Sequence, residues 1–188
     1  MRSAARSASA VGSASQVGAI PAGMTGRLAF APMEFVPARD VDELVRFVTA
    51  EEWPFHRNPK PDPSEIRSSA DTFWITEDGA RIGLIRLLDL DDVDDGGNPL
   101  FDLRVTAAAR GRGVGEAAVR WLTTHIFTNY DTNRIEATTR EDNHAMRRVL
   151  DKTGYVQEAH YREAWPASDR VYDSVGYAIL RRDWQGRA

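Results

Sequence analysis

The chain has 188 residues, 42% hydrophobic and 9% aromatic, which suits one domain with an ordinary buried core. It has no cysteine, which excludes disulfides, thiolate metal sites and a cysteine nucleophile, and fits a reducing compartment such as the cytoplasm. The net charge of −4 argues against a nucleic-acid partner, and no apolar run is long enough to span a membrane.

Residues 1–23, "MRSAARSASAVGSASQVGAIPAG", lack acidic residues and sustained periodicity, which reads as a disordered extension. The same Arg/Ser richness would suit a transit peptide, and Met24 offers an alternative start. The folded domain is therefore expected over 26–188, with 1–25 outside it. "RLAFAP" (27–32) is expected as the first strand. "DVDELVRFVTAEEW" (40–53) reads as a helix with Asp40 as N-cap and Glu43 as its capping-box partner. After a Pro-rich link, a second helix is expected from Asp62, with Pro63 at its first position. "TFWITED" (72–78) and "RIGLIRLLDL" (81–90) form a hairpin around Gly79, followed by a strand over 99–105. The acidic run at 91–95 lacks calcium-loop spacing and reads as a solvated turn.

A helix then places Val114, Ala117, Ala118, Trp121, Leu122 and Ile126 on one stripe. A strand follows at 133–139, and a helix at 141–154 turns Met146, Val149 and Leu150 inward and stops at Gly154. Two final strands, expected to be antiparallel, complete the order β-α-α-β-β-β-α-β-α-β-β.

"AARGRGVGEAAV" (108–119) carries the chemistry. A strand ending near Val105 and a helix starting near Val114 put this stretch at a helix N-terminus, where unpaired N–H donors and the helix dipole favour an anion. Gly111, Gly113 and Gly115 permit close approach to the backbone, and Arg110 and Arg112 supply counter-charge, which together suit a diphosphate. Residues 113–118, "GVGEAA", also satisfy a loose dinucleotide fingerprint, with Asp131 at a distance suited to a ribose contact. A purely structural loop is a further alternative.

"RGRGVG" (110–115) resembles the acetyl-CoA pyrophosphate loop of the GNAT superfamily, Arg/Gln-x-x-Gly-x-Gly/Ala. "DNHAMRRVLDKTGY" resembles the family's Asn-containing helix ending in Gly-Phe/Tyr. "EAHYREAW…DSVGYAILRRDW" resembles the branch of ribosomal-protein N-terminal acetyltransferases (RimJ/RimL-like) and their small-molecule relatives. The likeness covers residues 26–184. It implies a mixed α/β fold, with a splayed, mostly antiparallel sheet, helices on both faces and a bulge in the fourth strand. It also implies acetyl-CoA as co-substrate and no metal. Backbone groups of Leu103, Arg104 and Val105 would pair with pantetheine, and Arg110, Gly111, Arg112, Gly113, Val114 and Gly115 would hold the pyrophosphate. Asn143 would touch the pantetheine arm, or else cap its helix.

The implied activity is acetyl transfer by direct attack of a primary amine, either a protein α-amine or a small molecule such as an aminoglycoside or polyamine. The expected state is a monomer or homodimer. Four positions that serve as acid or base in relatives are Pro99, Thr138, Met146 and Leu150 here, so no catalytic residue carries over. Deprotonating a lysine-type amine of pKa ~10.4 at neutral pH costs about 4–5 kcal/mol, against about 1–1.5 for an α-amine, so a site without an evident base suits the latter. By family analogy the acceptor is read by "EEWPFHRNP" (51–59): Glu51 and Glu52 for a cationic amine, Trp53 and Phe55 for packing, and His56 as a possible base. A non-catalytic acyl-CoA sensor, suggested by the four lost positions, and a dinucleotide-dependent oxidoreductase are the competing classes.

Overall fold

Asp78 and Gly79 both take positive φ, 50° and 75°, the geometry a two-residue turn needs to match the twist of paired strands. Around this turn, the computed structural model builds a seven-stranded α/β protein, and it describes residues 32–66, 71–90, 93 and 96–185. In chain order the elements are β1 (Met33–Pro37), α1 (Val41–Thr49), a 3-10 turn at Pro63–Glu65, β2 (Thr72–Glu77), β3 (Ala80–Leu88) and β4 (Leu100–Val105). After a 3-10 turn at Ala107–Ala109 come α2 (Val114–Asn129), β5 (Arg134–Arg140), α3 (His144–Thr153), β6 (Val156–Pro166), β7 (Val171–Leu180) and α4 (Arg181–Gln185). No helix among the described residues is long and apolar enough to cross a membrane.

The expected order holds for most elements, with three corrections near the N-terminus. The first strand is 33–37; the stretch proposed for it, apart from Pro32, lies outside the described residues, as do the extension at 1–23 and the Asp residues of the acidic run. Helix α1 stops at Thr49 rather than residue 53, because Trp53 turns back to donate its indole N–H to Val48 O at 2.7 Å. Asp40 caps α1 by accepting the Glu43 N–H, but the Glu43 carboxylate bonds Arg81 instead of closing the box. The second helix is a single 3-10 turn among the described residues, although Asp62 caps it as expected.

Strands β1-β2-β3-β4 form one antiparallel sheet and β5-β7-β6 a second. Side-chain alternation along β2 and β3 sends Phe73, Ile75, Ile85 and Leu87 to a core with α2 and α3, and Trp74 and Leu84 to the opposite face with α1. Helices therefore cover both faces. The sheets meet at one end, where Glu136 N–H donates to Pro99 O at 2.9 Å and Asn98 bonds the Glu136 carboxylate. Past that point β4 and β5 head separately into different sheets.

The expected β4 bulge is absent: β3 and β4 pair without a slip from Gly83↔Val105 to Leu88↔Leu100. In this sheet the irregularity falls one strand over, between Ile75 and Thr76 in the β2–β3 pair, and in the second sheet β6 slips against β7 at Gln157/Ala159 and Tyr161/Trp165. Gly83 sits opposite Ile75, and an added Cβ there would lie 2.7 Å from Arg104 O and 2.8 Å from Ile75 Cδ1. The chain accommodates the crowding at Gly83 by omitting a side chain.

Candidate active site

The glycine-rich loop is built where β4 runs out. Gly111 (φ 75°) and Gly113 (φ 87°) are both left-handed, a region that other residues enter at a cost of about 1–2 kcal/mol. Gly113 is the N-cap of α2 with no side-chain hydrogen bond, and its carbonyl accepts the Ala117 N–H at 3.0 Å. The N–H groups of Val114, Gly115 and Glu116 thus precede the first intrahelical bond. A Cβ built on Gly111 or Gly113 meets nothing within 4 Å, so the space above both is open. Gly115 differs: its Cβ would make ordinary contact with Val149 Cγ2 at 3.5 Å, so this glycine faces α3 rather than open space. Val114 is buried in the core, leaving only its backbone for a ligand.

The two arginines are already engaged. Arg110 Nε donates to Val105 O at 3.0 Å and its guanidinium lies 3.7 Å from Glu51. Arg112 donates to Glu77 at 2.5 Å. Each thus stands at the mouth of the loop paired with a carboxylate from another element.

On β4, Thr106 N–H donates to Ile82 O at 3.0 Å, which makes Ile82/Thr106 a hydrogen-bonding pair. By two-residue alternation Arg104 and Asp102 face β3 with their backbone groups, and Leu103 and Val105 turn theirs toward the gap before β5. The backbone groups of Arg104 are spent on the β3 ladder, whereas those of Leu103 and Val105 face the gap, where Val105 O accepts from Arg110 Nε. Asn143 lies at the N-terminus of α3, where its side chain accepts the Met146 N–H at 3.2 Å and donates to Thr139 Oγ1 at 3.0 Å. Its observed role is capping.

The loop after α1 crosses the gap on the α1 side. Trp53 is 2% exposed, so it anchors the loop rather than offering a surface to an acceptor. Glu52 pairs with Lys60 at the surface. Glu51 accepts the Ala107 N–H at 3.0 Å, turned toward the donor loop. On the far side Arg140 of β5 donates to Pro54 O at 3.1 Å and stacks over Phe55 and Tyr172. Arg57 lies over Trp165 of β6. The loop is thereby strapped to both sheets.

Beneath it, His56 Nε2 lies 2.8 Å from Asp102 Oδ1 on β4. Burial works to raise the Asp102 pKa, but the hydrogen bond and charge of His56, and then Arg104, hold it down at about 2. Arg104 Nε donates to Asp102 Oδ2 at 3.1 Å and its guanidinium stacks over Trp53. Asp102 escaped the sequence reading, although an acid alternating with arginine inside the apolar "LFDLRV" was a signal available there. His56 was expected in the loop, but its partner was not.

No metal was expected. Glu141, His160 and Asp173 bring ligand-type atoms within 4.8 Å of one another, but they lie near the surface and His160 is bonded to Asp173 at 2.7 Å. The dinucleotide reading fails on topology, since the strand entering the glycine loop is antiparallel to its neighbour and belongs to no parallel βαβ unit.

Comparison with known proteins agrees with this fold. YdaF of Bacillus subtilis (strain 168), named as a ribosomal N-acetyltransferase, is 28% identical over 109 residues, 58% of this chain. The match spans 58% of the length of YdaF, less than two thirds. Mycobacterium smegmatis RimJ, solved with a CoA disulfide, superposes with a TM-score of 0.65 at 22% identity, covering 81% of this chain and 83% of RimJ. Mutant forms of the spermidine/spermine N-acetyltransferase SpeG from Vibrio cholerae superpose with a TM-score of 0.67 at 16% identity, covering 83% and 99%. At these identities the structures establish the fold. A family model described as an acetyltransferase (GNAT) domain matches residues 27–156, most of the chain, and the chain belongs to that family.

Proposed function

We propose that this protein transfers the acetyl group of acetyl-CoA to a primary amine. The observation that carries this reading is the open helix end at Gly113, beside the β4 edge where Leu103 and Val105 turn their backbone groups outward. In this reading the pyrophosphate lies over Arg110 to Gly115, where backbone N–H groups and two guanidinium groups meet it, and displaces Glu51 and Glu77 from the arginines. The pantetheine extends along β4, and the Leu103 and Val105 groups bond it as a further strand would. Donor N–H groups there would also steady negative charge that develops on the thioester oxygen.

The amine enters from the opposite side, under the strapped loop, and attacks directly. Phe55 and Tyr172 lie on that side with Arg140 over their rings, Trp165 lies under Arg57, and Asp102 pairs with His56 on the β4 side. A protein N-terminus and a slender polyamine both have the shape of a chain end, which suits a loop fixed to both sheets better than a multi-ring acceptor. The proposed setting is the cytoplasm, where acetyl-CoA is available, with the enzyme a monomer or homodimer. The test is incubation with acetyl-CoA and a panel of peptides, polyamines and aminoglycosides, read by product mass. One added acetyl group on an amine is expected; binding of acetyl-CoA without turnover of any amine would instead favour the sensor.

A further inference from the structure

We propose that His56 is the group that takes the acceptor's proton, and that Asp102 is the residue that positions it; this rests on the acetyl-transfer reading. Four observations carry it. The ring lies 2.8 Å from a carboxylate that stays ionised over the whole neutral range. An ionised Asp102 can only accept, so the neutral ring presents Nε2–H to it and leaves the lone pair on Nδ1. That Nδ1 is enclosed and has no hydrogen-bond partner among the described residues, so its lone pair is uncommitted, and the side chain as a whole stays 22% exposed. Finally, Asp102 is the strand neighbour of Leu103, whose backbone faces the gap where the thioester would lie, and the strapped loop brings the ring to the same strand. This is the arrangement by which a buried acid fixes the tautomer and orientation of a catalytic imidazole.

Three other candidate groups, Tyr155, His125 and Tyr177, are placed less well. The Tyr155 hydroxyl is bonded to Thr123 in the core, and burial pushes its pKa up. His125 of α2 is stacked on Trp121, and burial pushes its pKa down. Tyr177 is buried and bonded to Gln157. The charged groups around His56 are Asp102 and Arg104 on β4, Arg86 across from Asp102 on β3, and Arg140 on the far side of the loop.

The step balances as follows. The amine nitrogen forms a bond to the acetyl carbon, and the carbon–sulfur bond breaks with its electron pair passing to sulfur. The proton released from nitrogen passes to His56 Nδ1. It is then returned to the sulfur, giving the amide, the free thiol and a neutral ring.

The experiment compares wild type, His56→Gln, His56→Ala and Asp102→Asn for acetyl-CoA affinity, kcat and kcat/KM against pH. We expect His56→Gln to bind acetyl-CoA as wild type does, to lose ~10²–10⁴-fold in kcat, and to lose the acidic limb of the wild-type pH profile. Added imidazole should restore turnover to His56→Ala, which a merely structural histidine would not permit. Asp102→Asn should lower kcat while leaving acetyl-CoA affinity as in the wild type. Wild-type kcat in His56→Gln overturns the assignment, as does a loss confined to KM with an unchanged profile and no rescue by imidazole. Wild-type protein that binds acetyl-CoA and acetylates no amine overturns the acetyl-transfer reading itself, and the assignment with it.

Discussion

Glu51 reaches from the loop after α1 to accept the Ala107 N–H at 3.0 Å, and the same carboxylate stands 3.7 Å from Arg110. The loop after α1 is thus bonded to the segment that leads into the glycine loop, and Glu51 occupies one of the two cations proposed to meet the pyrophosphate. Replacing Glu51 with Gln removes the competing charge and keeps an oxygen for Ala107. Exposed pairs of this kind contribute ~0.2–1 kcal/mol, so acetyl-CoA should bind about 1.5–5-fold tighter, with the gain shrinking as salt rises. Titration calorimetry at two salt concentrations checks this; weaker binding would show that Glu51 supports the donor site rather than competing within it.

Gly113→Asp combines a backbone penalty with a misplaced charge. At φ 87° any side chain is strained, and a carboxylate there faces the space assigned to the pyrophosphate. Acetyl-CoA affinity should fall by at least ~100-fold, about 2.7 kcal/mol, while the far-ultraviolet spectrum stays native. Gly113→Ala separates the two effects and should lose only the strain of about 1–2 kcal/mol. A folded Asp variant with unchanged affinity would mean that the phosphates lie elsewhere.

Trp53 tests whether the loop is anchored or open to an acceptor. Its indole is buried and bonded to Val48 O at 2.7 Å. Trp53→Phe should cost about 1 kcal/mol of stability through that bond and leave acceptor KM nearly unchanged; Trp53→Ala should cost about 3–5 kcal/mol. Chemical denaturation and steady-state kinetics read the two effects separately. A large rise in acceptor KM in the Phe variant, without loss of stability, would restore Trp53 as a contact residue.

The depressed Asp102 pKa carries a stability consequence with a definite sign. Its ordinary value of about 3.8 falls to about 2 in the fold, so its pairing stabilises the protein fully above pH ~4. That contribution fades as pH falls from ~4 toward ~2, where the folded-state carboxyl also takes its proton. Asp102→Asn should therefore be less stable by on the order of 2 kcal/mol near neutral pH, the two proteins converging near pH 2. Urea denaturation at stepped pH measures the gap; a constant gap across that window would place the stabilisation elsewhere.

What was legible in the sequence follows from how local each signal is. The Asp78-Gly79 turn, the Asp40 and Asp62 caps and the Gly154 stop depend on a few adjacent residues, and all are in the structure. The place of the glycine-arginine loop at the N-terminus of α2 is readable for the same reason, since its glycines lie close together just before the helix. The end of α1 is not, because Trp53 finds its partner by turning back on the preceding helix. The β4 bulge expected from family resemblance is missing from the β3–β4 ladder, and the slip in that sheet falls between Ile75 and Thr76, beside Gly83, a difference that local residue patterns do not encode. The His56–Asp102 pair joins residues 46 positions apart through the crossing of a loop over a strand, which no spacing rule reveals.

The most direct test of acetyl transfer is mass analysis of amines incubated with this protein and acetyl-CoA, run beside Gly113→Asp. One added acetyl group on an amine with the wild type, strongly reduced with the variant, is the predicted result. Wild type that binds acetyl-CoA but leaves peptides, polyamines and aminoglycosides unmodified would contradict it.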